Sequence, residues 1–132
     1  MRLTLIIAAC SISILSAAFA SEPLGNLAGS EWGIPGEQGP HARYIHFAAN
    51  GQTNGFSGCN QFSGRFDQSG DSLRIGPLAT TRKACRPDVM KLEQVFFKVL
   101  DRARRMKATH LELLLRSEDG AELIRLTRRD FD

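Results

Sequence analysis

The sequence predicts a mainly β, α+β domain: an antiparallel, barrel-like meander with one helix packed against it. Three observations carry this. Glycines at 51, 55, 58, 64, 70 and 76 punctuate short apolar runs every few residues, as a chain of strands and turns requires. Only the stretch after Pro87 repeats its apolar residues at three and four positions, the period of a helix face. Near the end, Asp119-Gly120 separates two alternating runs, a hairpin signal.

The first element expected is a short strand, Ser30–Ile34, with Trp32, the only tryptophan, assigned to the core. A second, Tyr44–Ala48, ends at the turn dipeptide Asn50-Gly51. Strands at 52–57 and 61–67 flank Gly58-Cys59-Asn60. Ser72–Ile75 alternates polar and apolar, and Leu78–Thr81 is a further short strand. The helix is expected over Pro87–Arg105. Pro87 suits its first position, and Val89, Leu92, Phe96, Val99 or Leu100, and Ala103 form its apolar stripe. Arg102, Arg104, Arg105 and Lys107 gather where the helix dipole favours cations, and solvation there explains them better than a nucleic-acid or lipid surface. Thr109–Arg116 and Ala121–Arg128 complete the chain.

Residues 1–20 read as a secretory signal: Arg2, an apolar run from Leu3 to Leu15, and small residues ending Ala18-Phe19-Ala20. Cleavage is expected after Ala20, giving a periplasmic or secreted protein without stable membrane insertion, since the run is shorter than a span of about 20 residues. Ile7-Ala8-Ala9-Cys10 resembles a lipobox, so a lipoprotein anchored at Cys10 is the alternative. Residues 21–28 read as a linker and 29–132 as a single domain, expected as a monomer. The formal net charge is +3, of which Arg2 supplies one, so little remains to attract nucleic acid.

After cleavage two cysteines remain, Cys59 and Cys85. An even pair in an exported chain reads as a disulfide, worth roughly 3–4 kcal/mol for a loop of this length. A redox thiol at Cys85, just before the helix, and a metal ligand stay open beside it. No C-x-x-C or H-x-x-x-H spacing supports a metal, and His41, His46 and His110 stand apart in sequence. Asp88 and Glu93 read as solvated helix charges. No serine or cysteine sits in a nucleophile motif, so no catalytic residue, cofactor site or metal site is assigned.

Together, Gly29-Ser30-Glu31-Trp32, the run Phe56-Ser57-Gly58-Cys59-Asn60-Gln61-Phe62-Ser63-Gly64 and the run Leu78-Ala79-Thr80-Thr81-Arg82-Lys83-Ala84-Cys85 resemble the META domain, or HslJ-like, family. The resemblance extends from about Gly29 to about Leu126. Lys83 stands where the family usually has methionine. The resemblance implies a lipocalin-like barrel topology and no enzymatic activity. It also implies an exported protein tied to heat shock or novobiocin tolerance, with Cys59 and Cys85 as its signature cysteines. Gly58, Asn60 and Gly64 are expected to form the signature turn, with Gly58 and Asn60 tolerating positive φ there. The function expected is a non-catalytic envelope stress protein that binds a protein or envelope component. A small apolar-ligand carrier and a thiol-redox protein are the alternatives. The carrier requires an interior not filled by Trp32, Phe47, Phe62, Phe66 and Phe96.

Overall fold

The computed structural model describes residues 23–130. The expected signal segment and Cys10 lie outside the described residues. Eight antiparallel strands close into a barrel in sequence order: β1 (Ser30–Gly33), β2 (Tyr44–Phe47), β3 (Gln52–Phe56), β4 (Gln61–Ser69), β5 (Ser72–Thr80), β6 (Arg105–Ala108), β7 (Glu112–Arg116) and β8 (Glu122–Arg128). One helix, α1 (Pro87–Arg102), connects β5 to β6. The predicted β-barrel with a single helix is therefore the fold.

Inward, buried residues alternate with outward ones along β2, β3, β6 and the first half of β5, as a closed sheet requires, whereas β7 buries Leu113, Leu114 and Leu115 in a row. Ile45 and Phe47 of β2, Phe62 and Phe66 of β4, and Leu73 and Ile75 of β5 are buried. So are Leu113 and Leu115 of β7 and Leu126 of β8. The five aromatics Trp32, Phe47, Phe62, Phe66 and Phe96 fill the interior, none more than 8 % exposed. Phe47 meets Phe66 edge-on with ring centres 4.9 Å apart, and Phe62 meets Phe96 at 6.1 Å. The Trp32 indole N–H donates to Ser30 Oγ at 2.7 Å, which satisfies its one polar atom in the core.

The barrel is weakest between β5 and β6, where only Ser72 and Arg105 pair. Helix α1 packs chiefly against β5, and less extensively against β8, and inserts Phe96 and Leu100 into the core.

Several expectations need correction. The helix ends at Arg102 rather than Arg105, because Ala103 adopts an extended conformation with φ −61° and ψ 128°. Arg105–Ala108, expected as helix end and loop, is instead β6 and pairs with β7 from Arg105↔Arg116 to Ala108↔Leu113. The two short strands expected around Gly76 are one strand, β5. The described part of the expected linker is packed: Leu27 is fully buried, and the Leu24 N–H donates to the Ala108 carbonyl at 2.8 Å.

Candidate functional site

The residues 57–60 join β3 to β4 in a tight turn. The Ser57 N–H donates to the Asn60 carbonyl at 2.9 Å, and Gly58 takes φ +99°, a conformation that a side chain would strain. Asn60 does not share it, since no non-glycine residue among those described has positive φ. Its role is different: Asn60 is 3 % exposed and its side chain joins three segments. Its Nδ2 donates to both Glu93 carboxylate oxygens at 3.0 Å and to the Lys83 carbonyl at 3.3 Å. Its Oδ1 accepts from the Lys83 N–H at 2.6 Å and from Thr81 Oγ1 at 2.9 Å. Its backbone N–H donates to Glu93 Oε2 at 3.0 Å, and the Ser57 hydroxyl donates to the same oxygen.

Glu93 is therefore not a solvated charge. It is 7 % exposed and collects donors from the turn, which is how a buried carboxylate avoids an uncompensated desolvation cost. Gly64 also departs from expectation. It lies within β4, outside the turn, and is small because a Cβ there would come within 2.6 Å of the Pro77 carbonyl oxygen.

The second fastening is covalent. Cys59 and Cys85, 26 residues apart, form a disulfide with Cα atoms 6.0 Å apart, so the structure contains the pair as a bridge and not as a thiol. The bridge and the Asn60–Glu93 contacts thus tie one mouth of the barrel to the first two turns of α1.

Beside this tie opens a cleft of about 660 Å³. Gly58 and Cys85 form one wall, Val89 and Leu92 of α1 a second, and the β1–β2 loop with Glu37, Ala42 and Arg43 a third. Leu92 is 48 % exposed there, although the sequence placed it on the buried stripe. Arg43 holds the loop in place. It donates to the Glu37 carboxylate from Nε at 3.0 Å and from its backbone N–H at 2.9 Å, and its guanidinium sits 5.9 Å from the Phe96 ring centre. Burial alone would raise the Glu37 pKa. The Arg43 side-chain and backbone hydrogen bonds and the Arg43 charge outweigh it, and the carboxyl sits below its ordinary range.

The remaining candidates are dispersed. His41 lies on the cleft rim, His46 faces Asn54 on the outer sheet, and His110 is exposed. No group of three or more His, Cys, Asp or Glu side chains suited to a metal ion forms among the described residues. Asp88 is exposed and pairs with Arg86 at 3.0 Å. Of the basic cluster, Arg104 donates to the Asp101 and Ala103 carbonyls at 2.8 Å, capping the helix end as the dipole argument expects. Sequence reasoning missed Glu93, Ser57 and the Glu37–Arg43 pair. Glu93 alone had a signal, its spacing of three and seven residues from Phe96 and Leu100.

A family model described as META domain matches residues 25–130. A search among curated proteins finds no match to the chain. Among solved structures, a protein from Burkholderia xenovorans determined by NMR is 20 % identical, with a TM-score of 0.67 over 92 % of this chain and 100 % of that one. A second NMR structure is 24 % identical, with a TM-score of 0.56 over 78 % of this chain and 90 % of the other. A DUF4847 family protein from Bacteroides vulgatus ATCC 8482 is 15 % identical, with a TM-score of 0.58 over 80 % and 96 %. At these identities the likeness extends to the fold alone.

Proposed function

The chain belongs to the META domain family, and from that premise we propose that it is an exported, monomeric, non-catalytic binding domain. In this reading it supports heat or antibiotic tolerance by holding a protein or envelope component in the cleft beside the Cys59–Cys85 bridge. The observation that carries the proposal is the construction of that cleft. Its walls are fixed by a disulfide, a buried carboxylate network and an ion pair, yet it presents the exposed apolar side chain of Leu92. Rigid walls around exposed apolar surface lower the ordering cost of binding.

The disulfide itself suits an oxidising compartment such as the periplasm. An apolar-ligand carrier is the weaker reading, because Trp32, Phe47, Phe62, Phe66 and Phe96 occupy the space that such a ligand would need. A thiol-redox role would require the bridge to open, and Cys59 is only 5 % exposed.

The test is genetic and chemical together. A deletion strain should lose heat or novobiocin tolerance, and the wild-type gene but not Leu92→Asp should restore it. A photo-crosslinker at position 92 should capture a discrete species in the living cell. Unchanged tolerance in the deletion strain, with no crosslink, would refute the proposal.

A further inference from the structure

A second concavity lies on the outside of the barrel, across β2, β3, β4 and the end of β5. It has a volume of about 480 Å³, and Tyr44, Asn54, Gln61, Ser63, Thr80 and Thr81 contribute its polar lining; the Thr81 hydroxyl is already engaged by Asn60 Oδ1 and the Gln61 N–H. The strand pleat and register assemble it. Ile45, Phe47, Thr53 and Phe62 turn inward, so Tyr44, Asn54, Gln61 and Ser63 turn outward. Asn54 pairs with Ser63, Tyr44 with Phe56, and Phe56 with Gln61, which places the outward side chains in adjacent rows.

This cleft differs from the others in charge. None of its lining residues is ionisable to a full charge near neutral pH, in a chain with 23 % charged residues. The cleft beside the disulfide carries Glu37, Arg43 and Arg86, and the one at the foot of α1 carries Asp67, Arg74, Arg104, Arg105 and Glu118. Gln61, Ser63 and Thr80 use no side-chain hydrogen-bonding group on another described residue. Tyr44 is oriented by the Arg129 guanidinium, 4.6 Å from its ring centre.

We propose that this face is a binding site for a neutral oligosaccharide. A sugar presents closely spaced hydroxyls that both donate and accept, next to apolar C–H faces. Asn54 and Gln61 each offer a donor and an acceptor on one amide, and Ser63 and Thr80 do so on a hydroxyl. Tyr44 adds an apolar ring with a polar tip. A phosphate or lipid headgroup would find no cation among the lining residues, and Arg129, on the Tyr44 ring, already pairs with Glu31 at 3.6 Å. An acyl chain would meet six polar residues among the nine that line the cleft. The site shares no lining residue with the cleft beside the disulfide, so either assignment can fail without the other.

The experiment is an amide-shift titration of the ¹⁵N-labelled, disulfide-bonded protein with maltotriose, cellotriose and chitotriose at millimolar concentration. Inorganic phosphate, laurate and a neutral tetrapeptide are the comparisons. At least one trisaccharide should shift the amides of Asn54, Gln61, Ser63 and Thr80. The Asn54→Ala/Gln61→Ala variant, altered only at exposed positions, should keep the thermal midpoint and weaken that binding about tenfold or more. Three results would overturn the site: no trisaccharide moves these amides, the double variant binds equally well, or a comparison ligand moves them more strongly.

Discussion

Asn60 and Glu93 show how one side chain can hold three segments of a chain together. The amide of Asn60 reaches the Thr81–Lys83 segment on one side and Glu93 on the other, so its loss leaves a buried carboxylate short of donors. Hydrogen bonds to a charged group are worth about 1.5–3 kcal/mol each when one partner is deleted. Asn60→Ala and Glu93→Ala should each destabilise the domain by about 3 kcal/mol in urea unfolding. The double variant should lose less than the two single losses added, because the pair shares its contacts. If Glu93 were the solvated charge that the sequence suggests, Glu93→Ala would change stability by no more than about 0.5 kcal/mol. The misreading has a physical origin: the partner of Glu93 lies 33 residues earlier, and nothing local announces it. Glu37 supplies a pH signature. Its folded pKa is depressed, so its contribution is complete above the unfolded carboxyl value and is lost as pH falls through the lowered one. Stability should therefore decline below about pH 4, and Glu37→Gln should show a shallower decline in the same acid titration.

The helix and the strand after it mark where sequence periodicity succeeds and stops. Pro87 at the helix start, the buried Phe96 and Ala103, and the Asp-Gly turn before β8 were all legible, and of the two candidates Val99 and Leu100 the structure buries Leu100. The stripe itself is rotated from the one expected. It runs Glu93, Phe96, Leu100 and Ala103, and leaves Leu92 and Val95 half exposed. Leu100→Ala should cost about 2–5 kcal/mol, whereas Leu92→Ala should stay within about 0.5 kcal/mol by the same unfolding assay. A large loss at Leu92 would restore the unrotated stripe. Strand β6 was not legible, because Arg, Met, Lys and Ala are all good helix formers and no glycine or proline marks the break. Pairing with β7 and burial of Met106 and Ala108 override that local preference.

At the scale of the molecule, an aromatic-filled barrel has one mouth fastened to its helix by a disulfide and a buried polar network. The barrel class was readable from glycine spacing and alternation, since those patterns are local consequences of strands and turns. The site was readable in its cysteines and, as turn residues, in Gly58 and Asn60. Cleft shape, the Glu37–Arg43 clasp and the neutral outer face arise from segments brought together by closure of the sheet. Removing the bridge with Cys59→Ala/Cys85→Ala should cost about 3–4 kcal/mol and leave the barrel folded, because the core does not depend on it. The most direct test of the fastening is the intact mass of the protein beginning at Ser21 after exposure to excess iodoacetamide, native and then reduced. The bridge predicts no adduct on the native protein and adducts on both Cys59 and Cys85 after reduction. A native protein that labels readily would contradict the fastening and return Cys85, at the start of α1, to the chemistry of a reactive thiol.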